Sequence, residues 1–509
     1  MPKAADRVVV NTGILYGKTV FTVCVSLYST RVVLHVLGET DFGIYNLVAG
    51  VVAMLSFLNA AMSTSTQRYL SYYQGIDNDS AQKTIFANSL FLHIGLGILL
   101  ILFLEIVGLF LFDGFLNIPE ERLFAARVIF QFMIISVFFS VVSVPFVASL
   151  NAHENMLWVA IVDICEVLLK LLIAIGLSYS ILAIDNLIFY GAAIAGIGIV
   201  SFGIYAIFTI SNYEECSFKM KGKIEKRILS ELSKFAGWNL FGSLCGIGRT
   251  QGLAIIMNLF YGATINAAYA IANQVSSQMS FLSVTMLKAL NPQIMKNEGM
   301  GNRVKMLDLS MMACKFGFFL LAVISIPCMF EMATILSLWL KEVPDNTLIF
   351  CNLILVSIMV NQLTIGLQSA LQAIGRIKLY QLTVGTILLL NIPVSFILLK
   401  LGLPAYSTIL GLILLELIAC CFRLLILKKE SGFSISLYFK KVLMKELLPT
   451  LSSIMICILI TNVILSDITF RFLITGLFST LVFSFVFYKT SLEKDEKEYI
   501  QMVFKRIKK

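Results

Sequence analysis

Leu90-Phe91-Leu92-His93-Ile94-Gly95-Leu96-Gly97-Ile98-Leu99-Leu100-Ile101-Leu102-Phe103-Leu104-Glu105-Ile106-Val107-Gly108-Leu109-Phe110-Leu111 is an apolar run interrupted only by His93 and Glu105. Coiled as one helix at about 1.5 Å per residue, it is long enough to cross a hydrocarbon slab ~30 Å thick. Its apolar residues are continuous and do not alternate with polar ones, so a helix rather than a barrel strand must satisfy the backbone inside the membrane. Ile161 to Tyr179 reads the same way, apart from Asp163, Glu166 and Lys170. The whole chain follows suit: of 509 residues, 58% are hydrophobic and 14% charged, with a mean hydropathy of +0.89. A soluble domain carries about 25% charged residues. The fold class expected is an all-α polytopic membrane protein with about fourteen transmembrane helices.

Charge gives these helices a direction. Short connections poor in Lys and Arg, such as Gly38-Glu39-Thr40-Asp41 and Tyr261-Gly262-Ala263-Thr264, alternate with longer basic ones, notably Asn212 to Lys234 and Lys428 to Glu446. With the N-terminus inside, roughly 27 Lys and Arg fall on the cytoplasmic side and roughly 4 outside. Both termini are therefore expected to be cytoplasmic. The net charge of +9 is accounted for by these topology signals beside anionic lipid, and no nucleic acid is expected. Met1 to Asn11 lacks the charged, apolar and small-residue series of a signal peptide, so the first helix is expected in the mature chain. The ten cysteines contain no CxxC and sit mostly within spans, as small buried hydrophobes do; neither metal nor cofactor is expected.

A repeat divides the chain. Gly38-x-Thr40-x4-Tyr45 is matched at constant offset by Gly262-x-Thr264-x4-Tyr269. The same register aligns Ser56-Phe57-Leu58 with Ser280-Phe281-Leu282, and Met62 with Met286. The organisation expected is an N-terminal six-helix lobe over 1–211, a basic cytoplasmic linker over 212–234, and a C-terminal six-helix lobe over 235–427. A basic loop (428–446), two extra transmembrane helices (447–489) and a charged cytoplasmic tail (490–509) follow. Transport at the interface between two such halves follows as a hypothesis.

Ionisable groups at mid-membrane cost at least ~2.5–3.5 kcal/mol and so mark function by default. Lys18 shares a face with Thr22, Ser26 and Ser29, while Arg31 lies near the outer end of the same span, where snorkelling to headgroups is the ordinary alternative. Arg249 sits deep in span seven on the face of Asn239, Gly242, Ser243 and Gly246; the glycines by themselves fit close helix packing. In span eight Gln274, Gln278, Thr285 and Lys288 share a side, and in span two Ser56, Asn59, Ser63 and Thr66 do. Such stripes line a wet cavity or make interhelical hydrogen bonds. Asp163 and Glu166 are candidates for coupling H+ or Na+, although Glu166 and Lys170 also suit an i,i+4 pair. Glu105, Glu331 and Glu416 are isolated further candidates.

Enzyme chemistry is poorly supplied. There are three histidines, no H-E-x-x-H, no P-loop, no G-x-S-x-G, and no loop long enough for a soluble catalytic domain.

Ser26-Leu27-Tyr28-Ser29-Thr30-Arg31 through Leu37-Gly38, with Asp41-Phe42-Gly43-Ile44-Tyr45-Asn46, resembles the opening of Wzx-type polysaccharide flippases. These belong to the multidrug/oligosaccharidyl-lipid/polysaccharide exporter (MOP) superfamily. Thr66 to Leu70, Phe235 to Trp238, Ala267 to Ala272 and Asn291 to Ile294 look like later landmarks, and the likeness covers most of spans one to twelve. The resemblance implies two pseudo-symmetric, MATE-like six-helix bundles in a V, in a bacterial inner membrane. They would move undecaprenyl-diphosphate-linked oligosaccharide from the cytoplasmic to the periplasmic leaflet for surface polysaccharide such as lipopolysaccharide, beside a polymerase and a chain-length regulator. Lys18, Arg31, Arg249 and Lys288 would meet the diphosphate or acidic sugars, with Asn59, Gln274 and Gln278 lining the cavity. A MATE-type drug antiporter is the alternative; it would more naturally place a carboxylate in the first spans. A membrane polymerase would need a larger outer loop than any in this chain.

Overall fold

The computed structural model describes residues 2–53, 56–112, 118–179, 185–218, 223–340, 343–463, 468–494 and 496–497. Among these residues all regular structure is helical. In chain order the helices are α1 Pro2–Ala53, α2 Ser56–Gly75, α3 Asp79–Phe110, α4 Glu120–Ala152, α5 Met156–Ser178, α6 Asn186–Asn212, α7 Lys226–Gly299, α8 Arg303–Phe330, α9 Met332–Trp339 and α10 Thr347–Ile374. They continue as α11 Ile377–Lys400, α12 Ser407–Ser431, α13 Ile435–Asn462 and α14 Arg471–Ser491.

Eleven helical stretches among the described residues are long and apolar enough to cross a membrane. Of the other expected spans, those near 157–180 and 265–290 are helical over their described residues but too polar to qualify by composition. The one near 41–66 is divided by residues outside the described ones, leaving a short helical piece that ends at Ala53 and the polar α2. α5 carries Asp163, Glu166 and Lys170; the end of α7 carries Asn273, Gln274, Gln278 and Lys288; α2 runs through Ser63 to Arg68 without an apolar residue. Polar helices of this kind need protein or water on part of their circumference.

The repeat is written in the backbone. α1 breaks at Gly38 (φ 74°, ψ 171°) and α7 at Gly262 (φ 74°, ψ −164°). Positive φ is nearly free for glycine and strained for other residues, so each break turns the chain without a loop. Beyond the two breaks, equivalent residues enter equivalent cores. Ile44 and Val48 are buried in the N-terminal lobe, as are Ala268 and Ala272 in the C-terminal lobe.

The chain forms two compact units, one of them Val9–Leu240 and the other running on from Phe241. In the first, α4 is the central element, packed on α2, α3 and α6. Its Ala126, Ile129, Phe130 and Ile134 are buried with Leu37 of α1, Leu104 of α3, Leu177 of α5 and Leu187 of α6. In the second, α10 packs on α8 and α12, and Phe350, Cys351 and Leu355 join Leu253, Met257 and Tyr269 of α7. Gly366 lets α8 approach so closely that a Cβ there would meet the backbone at Cys314 N at 2.9 Å.

α13 and α14 pack on each other and on α8, burying Cys457, Phe483 and Phe487 against Phe318, Ala322 and Ile326. Between α12 and α13 only Gly432–Ser434 are non-helical. Gly432 (φ 69°) ends α12, and the Ser434 hydroxyl accepts from Leu437 N at 3.3 Å. The expected charged tail beyond residue 497 lies outside the described residues.

Candidate substrate site

In the N-terminal lobe, the break at Gly38 ends a helix that carries Lys18 along the polar side read from the sequence. There the Lys18 ammonium pairs with Asp163 of α5, and the Tyr205 hydroxyl of α6 donates to Asp163 Oδ1 at 3.2 Å. One turn along α5, Lys170 Nζ donates to Glu166 Oε1 at 2.6 Å. The side chains of Lys18 and Asp163 remain 20% and 33% exposed, so the pair is reachable rather than sealed. A candidate phosphate contact and a candidate coupling acid are thus one group. Tyr205 had no sequence signal, because a tyrosine inside an apolar span gives no hint of what it touches.

The other N-lobe candidates separate. Arg31 is exposed on α1 and forms no ion pair with a described residue. Asn59 donates from Nδ2 to Ser140 Oγ of α4 at 3.0 Å, the interhelical bond that was its ordinary alternative.

Two further polar clusters bound this lobe. Arg122 of α4 binds Asp41 beyond the Gly38 break, through Nε at 2.7 Å, and Asp185, the N-cap of α6, through Nη1 at 2.5 Å. Partial burial pushes the Asp185 carboxyl up, but Arg122 and the N–H groups of Ile188 and Leu187 outweigh it and hold it below its ordinary range. After α6 the chain turns back on the end of α4. His153 Nε2 lies 2.7 Å from Glu215 Oε1, Ser149 Oγ donates to the same oxygen at 3.1 Å, and Tyr213 stacks on the imidazole at 3.9 Å. Burial raises the Glu215 carboxyl, but its contacts with His153 prevail and lower it; burial, with the Glu215 charge beside it, pushes the neighbouring Cys216 thiol up to about 12 against its hydrogen bond with Ser149.

The C-terminal lobe is built differently. Arg249 of α7 donates from Nη1 to Glu416 Oε1 of α12 at 3.3 Å. Arg423, two turns along α12, lies 3.7 Å from the other oxygen of the same carboxylate. Arg423 Nη1 also donates to Asn361 Oδ1 at 2.7 Å and Thr364 Oγ1 at 2.9 Å, both on α10. The side chains of Glu416 and Arg423 are 4% and 3% exposed, whereas Arg249 is 24% exposed. Two guanidinium groups share one carboxylate, leaving a net positive charge whose outer edge is Arg249.

Sequence reasoning named Arg249 and Glu416 separately and missed Arg423. Its signal was present, because Glu416 and Arg423 are seven residues apart on one face of an otherwise apolar helix. Gly242 and Gly252 face Gln381 and Ile392 of α11, as close packing predicts. Gln274, Gln278 and Lys288 are exposed along the end of α7, while Thr285, read on the same side, is 4% exposed and buried.

None of the three acids read as isolated is so. Glu105 accepts from Gln131 at 3.1 Å, Glu416 holds two arginines, and Glu331 is bound by Arg471 at 2.9 and 3.0 Å and by Thr475 and Thr334. Span-by-span reading cannot see a partner on another helix. Among the described residues no group of three or more His, Cys, Asp or Glu is placed to hold a metal ion.

A family model, MatE, matches residues 17–176. No curated protein sequence matches the chain. Solved structures do. A MATE transporter in its straight conformation superposes with a TM-score of 0.72 at 15% identity, over 85% of this chain and 96% of that one. The MATE transporter ClbM in complex with Rb+ gives 0.69 at 12% identity, over 86% and 96%. A MOP-superfamily transporter from Pyrococcus furiosus, described as having a binding pocket of reversed polarity that suggests a different function, gives 0.69 at 13% identity, over 85% and 96%. The chain therefore has the fold of the MATE transporters, extended by α13 and α14.

Proposed function

We propose that this protein is a membrane transporter that works by alternating access and moves an anionic, lipid-linked oligosaccharide, of the undecaprenyl-diphosphate type, from the cytoplasmic to the periplasmic leaflet. The observation that carries the reading is the cation excess at the Arg249–Glu416–Arg423 cluster. Asp163 and Glu166 are each balanced by a lysine, and in the C-terminal lobe Arg249 and Arg423 outnumber Glu416. A cationic drug needs a carboxylate to spare; a diphosphate needs a guanidinium that can still turn toward it. Arg249, partly exposed and held through a single oxygen, meets that need, and Lys288 and Arg31 supply further cations at exposed positions. The P. furiosus transporter, described as having a pocket of reversed polarity that suggests a different function, is in keeping with this fold serving more than one function.

Ion coupling through Asp163 belongs to the same proposal. A cation or proton that loosens its pair with Lys18 would free the ammonium for the cargo, so one site would serve both ions in turn.

The test is reconstitution in proteoliposomes with a short-chain polyprenyl-diphosphate oligosaccharide. Arg249→Ala should lower the flipping rate at least ten-fold, and Lys288→Ala several-fold, at unchanged folded yield; each charge-assisted contact to phosphate is worth ~1.5–3 kcal/mol. Wild-type flipping by both variants sinks the site assignment. Ion-driven ethidium uptake by the wild type, without movement of the diphosphate lipid, replaces the reading with a drug antiporter.

A further inference from the structure

α13 and α14 lie outside the repeat, and a groove of about 310 Å³ opens where α13 begins and α14 ends, lined by Lys440, Met444, Lys445, Leu448 and Thr490. We propose that this groove seats the phosphate of an anionic membrane phospholipid, with its acyl chain lying along α13.

The seat has the chemistry of a headgroup site. Lys440 is exposed and forms no ion pair with a described residue. Lys445 is held in place by donating to the Thr490 carbonyl at 2.8 Å, which leaves its ammonium two further protons to donate. The acids in this region are turned to other cations or inward. Asp308 and Glu493 meet Lys441, Glu496 meets Lys315 at 2.6 Å, and Glu446 is 2% exposed on the inner side of α13. The groove itself is therefore positive.

Below the lysines the same face of α13 is apolar and open. Met444, Leu448, Leu451, Met455 and Leu459 are spaced by four, three, four and four residues, which keeps them on one stripe, and they are 52–66% exposed. A cationic head above an exposed apolar track fits one lipid: phosphate between the lysines, chain on the stripe. A free anion would use the lysines alone and gain nothing from the stripe that continues below them. The inference does not depend on which cargo the lobes carry.

The experiment uses the full-length protein in nanodiscs of phosphatidylethanolamine mixed with either phosphatidylglycerol or phosphatidylcholine, followed by counting of lipids retained in detergent by mass spectrometry. Wild type should retain phosphatidylglycerol in preference to phosphatidylcholine. Lys440→Gln and Lys445→Gln should each cut that preference about five-fold, since a lysine near an anionic surface contributes ~1 kcal/mol. Lys440→Arg should keep it, Lys428→Gln should leave it unchanged, and Leu448→Glu should lower it through the acyl track. Equal retention of the two lipids by wild type overturns the proposal, as does an undiminished preference in Lys440→Gln. Displacement of phosphatidylglycerol by millimolar inorganic phosphate, with Leu448→Glu behaving as wild type, also overturns it in favour of a free-anion site.

Discussion

In the N-terminal lobe Lys18–Asp163 and Glu166–Lys170 are one-to-one pairs, whereas in the C-terminal lobe two arginines share Glu416. Lys18 and Asp163 come from different helices and remain partly open, and Glu166 and Lys170 lie on one helix. Arg249, Glu416 and Arg423 form a chain whose inner end is nearly sealed. The consequences differ. An open pair has access to water and loses little when broken, while a sealed group without its counter-ion carries the whole cost of its desolvation. The first arrangement suits an exchange of partners and the second a fixed positive charge.

The largest effect should come from separating these two cases. Glu416→Gln strands Arg423 in a buried site and should destabilise the C-terminal lobe by about 3–5 kcal/mol, read as a lower unfolding temperature in detergent. Asp163→Asn should cost roughly 1 kcal/mol or less, and the double change with Lys18→Met should recover most of it. Equal costs at the two sites would erase the contrast.

The two breaks offer a sharper, smaller comparison, because here the lobes are alike. Gly38→Ala and Gly262→Ala each force a Cβ into a positive-φ, extended-ψ region that is essentially glycine's own, at ~1–3 kcal/mol. Among the described residues nothing beyond the adjoining stretch of helix lies within 4 Å of an added Cβ at either site, so strain rather than crowding should set both costs. Unfolding temperatures lowered by clearly unequal amounts would mean that the repeat has diverged in energy as well as in sequence.

The smallest effect is a pH dependence that arises in the N-terminal lobe. Glu215 has its folded pKa below the ordinary 4.5, so the stability it confers is present above that value and is lost as pH falls through the folded pKa. Asp185 adds a second contribution of the same sign, below its own ordinary 3.8. Acidification from about pH 4.5 downward should therefore lower the unfolding temperature of wild type more than that of Glu215→Gln. Identical acid profiles would show that the His153 contact contributes no net stability.

Much of the site was readable one helix at a time. Lys18, Arg249 and Asp163 stand out because a charge in an apolar run has few structural excuses, and the Glu166–Lys170 pair follows from helical spacing alone. The Gly38 and Gly262 breaks were visible as a shared turn motif, though not as equal φ angles. What escaped were relations between helices: Tyr205 on Asp163, Arg423 behind Glu416, Arg471 on Glu331. Each partner comes from a different turn or a different span, and hydropathy carries no information about azimuth in the bundle.

By itself the sequence determined that the chain is helical, that it crosses a membrane many times, and that it is built on a repeat. Those properties follow from backbone hydrogen bonding in hydrocarbon and from glycine at two matched turns, which are local or periodic causes. Only the tertiary structure decided which charges neutralise one another and how near two helices come. Gly366 is the plainest case: in sequence it is one more glycine in a span, and in the fold it is where α8 and α10 touch backbone to backbone. Such contacts depend on the rotation and depth of whole helices, and packing sets these through many small contributions spread over the entire lobe.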